Sequence, residues 1–249
     1  MTRLELGLKT TTDTVLGGRL KIIQPDEGYR VAIDPILLAA AMDVSSKSRV
    51  LDVGCGTGAA LFCLLARVPS IQGVGLEKQQ GFAELARLGV EANDLVDRAE
   101  IVLGDVSDFQ SETRGSFDAV MTNPPFYEVG TVPDRPEQNS THAVMQFPLS
   151  TWIKKCLALL DKGGLFTIIH RAERLSDIIQ SLSSCGAITV IPLWPKAGRP
   201  AGRVIVTARK GRKSPTKVHP GLVLHAEDGT YTPEADIILR AGGAFEVSP

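Results

Sequence analysis

The chain has 249 residues, of which 43% are hydrophobic, and a formal net charge of −1 at pH 7. This length and composition fit one large α/β domain with a packed core. The near-neutral charge gives no global argument for a nucleic acid or an acidic partner, so any such argument rests on where the charges lie.

The cysteines and the apolar runs exclude several protein classes. The cysteines form no CxxC pair and no zinc-binding spacing, which predicts free thiols and no metal site. The segment up to Thr14 lacks the apolar core of a signal peptide. The longest apolar run, Ile36 to Met42, is far below the roughly 18 residues of a membrane span. We therefore expect a soluble, cytoplasmic protein. The cysteines are Cys55, Cys63, Cys156 and Cys185.

The first predicted elements are a hairpin and a helix. Val15 to Gln24 predicts a β-hairpin, in which Gly17 and Gly18 supply the positive φ angles of a two-residue turn. Asp34-Pro35 predicts a helix start that runs to Met42, because Asp caps free amides and Pro suits the first helical position.

Strands and helices then alternate regularly, which predicts a mostly parallel, seven-stranded sheet with helices on both faces. We expect a single domain over 1–249, with a hairpin extension (1–33), a core (34–210) and a C-terminal extension (211–249). The predicted strands are 49–53, 71–76, 101–103, 117–122, 165–169, 188–193 and 203–208. The predicted helices are 58–67, 82–93, 149–160 and 174–183.

Two stretches interrupt this alternation. Tyr127 to Gln146 is polar and without periodicity, and long loops inside compact domains are usually functional or disordered. Lys196 to Lys217 contains eight Lys and Arg residues and no Asp or Glu. Such a stretch suits a phosphate backbone, although a solvated surface is the alternative. Its basic residues are Lys196, Arg199, Arg203, Arg209, Lys210, Arg212, Lys213 and Lys217.

A glycine-rich turn, Leu51 to Gly58, joins the first strand of the alternation to its helix. Glycines there let the backbone approach a ligand, and the helix N-terminus favours negative charge. Gly54, Gly56 and Ala59 also satisfy the dinucleotide fingerprint, with Glu77 at about the distance of a ribose contact. On this motif alone, a dinucleotide site, another nucleotide-like cofactor and a tight turn without a ligand all stay open.

Acids at the ends of successive strands extend the pattern. Asp52 to Gly58 resembles motif I of class I S-adenosylmethionine-dependent methyltransferases. Glu77 matches the acid that accepts hydrogen bonds from both ribose hydroxyls. Gly104-Asp105-Val106 resembles the turn whose Asp contacts the adenine amine. Ligands of open α/β sheets bind at the carboxyl ends of the strands, where these acids lie. The resemblance implies S-adenosylmethionine as the cofactor, bound by Asp52, Gly54, Cys55, Gly56, Gly58, Glu77, Asp105 and Val106.

The most specific motif is Asn123-Pro124-Pro125-Phe126, which follows the fourth strand. A ring-conjugated amine or an amide must pyramidalise before its lone pair attacks a methyl group. The Asn123 side-chain oxygen and the Pro124 carbonyl can accept its N–H groups, and Phe126 can stack on a flat substrate. The prolines stiffen the end of the strand. The motif thus predicts catalytic residues at Asn123, Pro124, Pro125 and Phe126, with Asn123 also beside the cofactor; a rigid turn is the alternative.

The N-P-P-[FY] signature is similar to that of nitrogen methyltransferases acting on adenine N6, guanine N2 or a glutamine amide. From Gly17-Gly18 to about Arg240 the chain resembles the bacterial tRNA adenine-N6 methyltransferase family. This resemblance also covers Tyr29 to Ala40, 170–175 and 224–232. It implies a Rossmann-like class I methyltransferase fold with an N-terminal β-hairpin, and tRNA as a partner that binds through the basic stretch.

The resemblance further implies that Arg30 and Asp34 cover the methionine end of the cofactor. In that family the polar loop usually carries a His followed by a Glu, whereas here His142 is followed by Ala143. His170 ends a strand; it would be an attractive base, but the reaction does not require one. A structural or capping role is therefore favoured for His170.

Four functions compete. An RNA adenine-N6 methyltransferase is favoured. A protein-glutamine or rRNA guanine-N2 methyltransferase would usually carry a sizeable extra domain. A nicotinamide-dependent oxidoreductase leaves Asn123 to Phe126 unexplained and lacks an evident Tyr-x-x-x-Lys pair. A cofactor-binding protein without catalysis is disfavoured by the intact Asn123 motif. The oligomeric state and the exact RNA stay open.

Overall fold

The computed structural model describes residues 9–28, 30–109, 116–128, 144–145 and 147–245. Tyr29 and His142, on which the sequence raised expectations, lie outside the described residues. The same holds for most of the polar loop after Phe126.

The hairpin is confirmed, but its predicted turn is wrong. Strands β1 (Thr10–Val15) and β2 (Leu20–Pro25) pair antiparallel, with Val15 opposite Leu20, so the turn has four residues rather than two. Leu16 is 3% exposed and adopts a φ of 52°, because its side chain packs into the core from the tip of the hairpin. Burial of this leucine therefore moves the turn out of the two-residue form.

The main sheet has the predicted architecture. Its strands are β3 Arg49–Val53, β4 Gln72–Glu77, β5 Ala99–Leu103, β6 Phe117–Thr122, β9 Leu160–Arg171, β10 Cys185–Lys196, β11 Arg203–Lys210, β12 Lys217–Val218 and β13 Leu222–His225; β7 (Tyr127–Glu128) and β8 (Val144–Met145) form a separate pair. Strands β5, β4, β3, β6 and β9 pair in parallel in that order, and β11 lies antiparallel between β9 and β10. Two short strands, β12 and β13, pair with β10 in addition to the predicted seven.

Helices cover both faces of the sheet, as predicted. The helices are α1 Asp34–Ala40, α2 Ala59–Arg67, α3 Gln80–Ala92, α4 Leu149–Ala158, α5 Leu175–Ser181 and α6 Pro233–Ala241. Buried side chains of α1, α2, α3 and α6 join one apolar cluster, and those of α4 and α5 join the other. The helix predicted at 174–183 is preceded by a 3-10 turn, Ala172–Arg174, and ends two residues earlier than predicted.

Helix α1 begins where the sequence predicts, but Asp34 does not cap it. Ile33 holds the N-cap position, and no side chain accepts a capping hydrogen bond there, whereas Pro35 lies in the first turn as expected. The Asp34 carboxylate instead accepts a hydrogen bond from Nε of Arg203 at 3.1 Å. A distant guanidinium therefore takes the oxygen that the local pattern assigned to the helix amides.

The basic stretch 196–217 does not form one face. Because β10 runs parallel to β9, its end at Lys196 lies at the sheet edge where β3, β4 and β6 also end. Arg203 opens β11 at this edge, while Lys210 closes β11 at the opposite edge. Seven residue-to-residue steps of about 3.4 Å separate the two ends of β11 by roughly 24 Å. The basic residues of this stretch are therefore divided between the two ends of β11.

The described residues contain no helix that is both long and apolar enough to cross a membrane. Within the same residues, no group of three or more His, Cys, Asp or Glu side chains is arranged to hold a metal ion. The four cysteines are free thiols, as the spacing predicted, and Cys185 is the one that is not fully buried.

Candidate active site

The glycine loop after β3 is fixed by hydrogen bonds to β4. The backbone N–H groups of Gly54 and Cys55 both donate to the Leu76 carbonyl, at 2.8 and 3.1 Å. Gly54, Gly56 and Gly58 have φ angles of 73°, 56° and 87°. Side chains disfavour this left-handed region, so the loop depends on glycine at all three positions.

The three glycines face different surroundings. A Cβ on Gly58 would overlap the Phe62 ring, with Cε1 only 2.8 Å away, and a Cβ on Gly54 would lie 3.4 Å from the Trp152 indole. A Cβ on Gly56 would meet nothing within 4 Å. The loop is therefore packed against protein at Gly54 and Gly58 and open at Gly56, which is the position where a ligand can approach the backbone.

Glu77 closes β4 and is 5% exposed. Its Oε2 accepts a hydrogen bond from Gly56 N–H at 2.9 Å, and its Oε1 accepts one from Gln79 N–H at 2.8 Å. Burial raises the pKa of the carboxyl, and these backbone donors oppose that rise. Lys78 is a third backbone donor to this carboxylate. An ionised carboxylate has about four acceptor positions, so the group can still accept from a ligand hydroxyl.

Asp52 lies within β3, is 2% exposed, and its Oδ2 has no hydrogen-bond partner among the described residues. Burial, with a smaller contribution from the nearby Glu77 charge, raises the pKa of Asp52 to about 7. A buried acceptor without a donor is costly. Its presence beside the glycine loop fits a ligand that brings a donor or a positive charge, as the ammonium group of S-adenosylmethionine does.

Three other predicted cofactor residues have distinct positions. Asp105 follows β5, is partly buried, and accepts a hydrogen bond from Ser107 N–H at 2.7 Å through one carboxylate oxygen. Val106 is 6% exposed. The Cys55 thiol faces the sheet, where a Cβ on Gly75 would lie 2.7 Å from its sulfur. The Cys55 thiol also donates to the Gly56 carbonyl at 3.8 Å, and burial raises its pKa. Cys55 therefore supports the loop through packing against β4.

Asn123 follows β6 directly, and its Oδ1 is buried without a hydrogen-bond partner in the described part of the chain. Because Thr122 is paired with Val53 in the sheet, Asn123 lies beside Gly54. Thr122 Oγ1 donates to the Val53 carbonyl at 2.8 Å and accepts from Nε1 of Trp152 at 3.0 Å. These bonds tie the start of the acceptor motif to the strand that leads into the glycine loop, and the Asn123 oxygen takes no part in them.

Three residues contact Phe126. Its carbonyl accepts a hydrogen bond from Nη2 of Arg171 at 3.1 Å. Its ring contacts the His170 ring edge-on, at 5.2 Å between centroids. The Arg203 guanidinium lies 4.5 Å from the ring centre. Arg203 covers one face of the ring, so the predicted stacking on a substrate base would use the opposite face.

His170 is fully buried. Its Nδ1 accepts a hydrogen bond from Arg171 N–H at 2.9 Å, and its Nε2 has no partner among the described residues. Burial lowers the pKa of His170 to about 4, and the charges of Arg174, Arg171 and Arg203 add to the effect. The ring is therefore neutral at physiological pH and is a poor proton acceptor, which agrees with the structural role that the sequence favoured.

Arg30 and Asp34, predicted near the methionine end of the cofactor, have different neighbours. Arg30 forms an ion pair with Asp13 and donates to Oγ1 of Thr11 at 2.9 Å, so it is bound to hairpin strand β1. Asp34 pairs with Arg203 and through it reaches Phe126. Sequence reasoning missed Trp152 and this role of Arg203. The indole of Trp152 had no local signal, and Arg203 was noted only as part of the basic stretch.

Residues 30–184 match the family described as the methyltransferase small domain. The chain belongs to this family. It is therefore a methyltransferase that uses S-adenosylmethionine, and the dinucleotide interpretation of the glycine loop is set aside. The unpartnered Asp52 oxygen, the oriented carboxylate of Glu77 and the open side of Gly56 fit that cofactor.

The relatives cover most of this chain. It is 25% identical over 82% of its length to the tRNA1(Val) (adenine(37)-N6)-methyltransferase of Actinobacillus succinogenes, covering 86% of that protein. It is 24% identical, over 82% of each chain, to the enzyme of the same name from Yersinia pseudotuberculosis. A crystal structure described as a predicted O-methyltransferase from Agrobacterium tumefaciens superposes with a TM-score of 0.70 at 26% identity, over 85% of this chain and 98% of that one.

Proposed function

We propose that the protein methylates N6 of an adenine in tRNA. The observation that carries this proposal is the buried, unpartnered Oδ1 of Asn123, directly after β6 and next to the glycine loop. An amide oxygen in this position is an acceptor for an N–H group of the substrate. A hydroxyl acceptor would instead need a group that removes its proton, and His170, with its pKa lowered to about 4, is a weak base.

Each side chain then has a defined task. Glu77 accepts hydrogen bonds from the ribose hydroxyls and Asp105 from the adenine amine of the cofactor, which supplies a methyl group on a sulfonium. Asn123 Oδ1 and the Pro124 carbonyl accept the N–H groups of the substrate amine and favour its pyramidal form. Preorganised acceptors of this kind contribute most when water is excluded. The methylated nitrogen releases its surplus proton to solvent.

Support for an RNA substrate comes from the relatives and from the rim of the site. The curated relatives named above act on adenine 37 of tRNA1(Val) by name, and they match this chain over most of its length. Three arginines, Arg171, Arg174 and Arg203, bring positive charge to the surroundings of Phe126 and His170. The structural relative from Agrobacterium tumefaciens carries an O-methyltransferase description, so an oxygen acceptor has to be an outcome of the test.

The test is methyl transfer from labelled S-adenosylmethionine to unmodified tRNA transcripts, followed by nucleoside mass spectrometry. We expect N6-methyladenosine in a tRNA1(Val) transcript and no product in a matched transcript with guanine in place of adenine 37. A 2′-O-methylated nucleoside, an N2-methylguanosine, or methylation confined to a glutamine-containing peptide would contradict the proposal and identify the alternative acceptor.

A further inference from the structure

Three guanidinium groups converge beside the acceptor motif, and we call them the arginine rim. Arg171 ends β9, Arg174 closes the 3-10 turn that follows, and Arg203 opens β11. Arg171 and Arg203 are opposite each other in the β9–β11 pairing. The charges of all three act on the same buried ring, His170. The rim is therefore one local surface at the sheet edge where β3, β4 and β6 end.

The rim touches the residue expected next to the substrate base. Arg171 donates to the Phe126 carbonyl at 3.1 Å, and the Arg203 guanidinium lies 4.5 Å from the centre of the Phe126 ring. A nucleotide whose base contacts Phe126 has its own phosphates within one sugar of that base. Two of the three guanidinium groups are thus close enough to the acceptor motif to serve the target nucleotide itself.

Each rim arginine is held in place by a carboxylate. The ion pairs are Arg171–Glu173 at 3.2 Å, Arg174–Asp177 at 2.6 Å and Arg203–Asp34 at 3.1 Å. The arginine side chains are 28%, 23% and 34% exposed, respectively. A guanidinium already held in one orientation loses little freedom when an anion binds, and its planar set of donors fits phosphate oxygens. Because the carboxylates offset the charge, the rim suits a local contact to phosphates rather than nonspecific binding along the RNA backbone.

The basic residues at the opposite sheet edge have other partners. Lys210 Nζ donates to the Leu160 carbonyl at 2.7 Å, and Arg209 Nη1 donates to the Gly163 carbonyl at 3.4 Å. Arg212 and Lys213 are exposed on the turn after β11. They lie about a strand length, roughly 24 Å, from Arg203 along β11. This edge is too far away to contact the nucleotide at Phe126.

We infer that the arginine rim binds the phosphates that flank the target base, and that the basic turn at the other end of β11 does not contribute to this contact. The inference rests on the proposed RNA substrate and adds the surface that positions it. Within the basic stretch 196–217, it assigns phosphate binding to the end at Arg203 and a solvated surface to the turn after β11.

The experiment measures binding of a tRNA transcript by fluorescence anisotropy over a series of KCl concentrations, with S-adenosylhomocysteine present. Each phosphate contact contributes about 0.7–0.9 to the slope of log Kd against log[KCl]. We expect Arg174→Gln and Arg203→Gln each to lower the slope by about that amount. The control, Arg212→Gln with Lys213→Gln, removes two charges at the opposite edge and should keep the wild-type slope.

A second variant separates charge from packing. Arg203→Lys keeps the positive charge but lacks the planar group over Phe126, so it should retain most of the salt slope while losing turnover. S-adenosylhomocysteine binding by calorimetry reports whether each variant is folded. Rim variants with an unchanged slope, or control variants with a reduced one, would overturn the inference. If the wild type methylates tRNA in either of those cases, the proposed function stands without the rim; if it methylates only a peptide, both fail.

Discussion

Gly56 and Glu77 are joined by a 2.9 Å hydrogen bond from the backbone N–H of the glycine to Oε2 of the carboxylate. The open position of the glycine loop and the acid at the end of β4 are therefore one unit. The same acid also accepts from Gln79 N–H at 2.8 Å, which fixes the plane of its carboxylate. A ligand that binds the loop meets an acceptor that is already oriented.

Replacing Glu77 with Ala should weaken binding of S-adenosylhomocysteine by about 1.5–3 kcal/mol, the scale of hydrogen bonds to a charged group. Isothermal calorimetry measures this directly. Glu84→Gln, on the surface of α3, is the matched control and should leave the affinity unchanged. Equal affinity of Glu77→Ala and wild type would remove Glu77 from the cofactor site.

The stability of the ligand-free protein should depend on Asp52. Its pKa is raised from 3.8 to about 7, so between these values the folded protein keeps a proton that the unfolded chain has released. The stabilisation is complete below about pH 4 and is lost as the pH rises to about 7. Thermal unfolding of wild type against Asp52→Asn isolates this component. We expect the melting temperature of the variant to rise relative to that of the wild type as the pH rises. A difference in melting temperature that does not change with pH would contradict the burial effect.

Gly58→Ala and Gly56→Ala are a matched pair of variants that separates packing of the loop from ligand binding. Gly58→Ala forces a Cβ into the Phe62 ring and a side chain into a φ of 87°, so it should lower the free energy of unfolding by more than about 1 kcal/mol. Gly56→Ala meets open space and should cost less stability, but it should reduce cofactor affinity more. Denaturant unfolding and calorimetry on both variants test the pair. The reverse ranking would mean that the ligand approaches elsewhere.

Phe126 should act mainly on substrate positioning. Phe126→Ala should weaken RNA binding by about 1–3 kcal/mol if a base stacks on the ring face opposite Arg203. Phe126→Tyr keeps a planar face and should be tolerated. Binding of a tRNA transcript and calorimetric binding of S-adenosylhomocysteine separate this effect from damage to the cofactor site. An Ala variant with wild-type RNA affinity would show that the ring only packs against Arg203 and His170.

Local patterns predicted the sheet well and the long-range contacts poorly. Strands β3 and β6 have the predicted bounds, because mostly apolar segments end there at Gly54 and Asn123. Trp152 could not be placed, since its bond to Thr122 joins residues that are 30 positions apart. Asp34 was assigned to its own helix because the partner that takes its oxygen, Arg203, is 169 positions away.

Turn geometry and surface charge show the same limit. The Gly17-Gly18 pair identified the hairpin, but the turn length depends on Leu16 packing into a core formed by distant elements. The sequence shows the basic stretch directly, but only the direction of β11 places its residues at two opposite sheet edges.

Asn123→Ala removes one acceptor from the site and leaves the glycine loop intact. Turnover should fall on the order of 100–1000-fold, with cofactor affinity nearly preserved, because preorganised polar contacts act on the transition state. Asn123→Asp keeps an acceptor of similar shape and should retain more activity than the Ala variant.

The most direct measurement is single-turnover methyl transfer to a tRNA transcript by wild type and Asn123→Ala, with the product nucleoside identified by mass spectrometry. We predict N6-methyladenosine from the wild type and a rate that is lower by about 100-fold or more in the variant, at equal occupancy by S-adenosylmethionine. The same rate in both proteins would show that Asn123 is only a turn residue, and a methyl group on oxygen would show that nitrogen is not the acceptor.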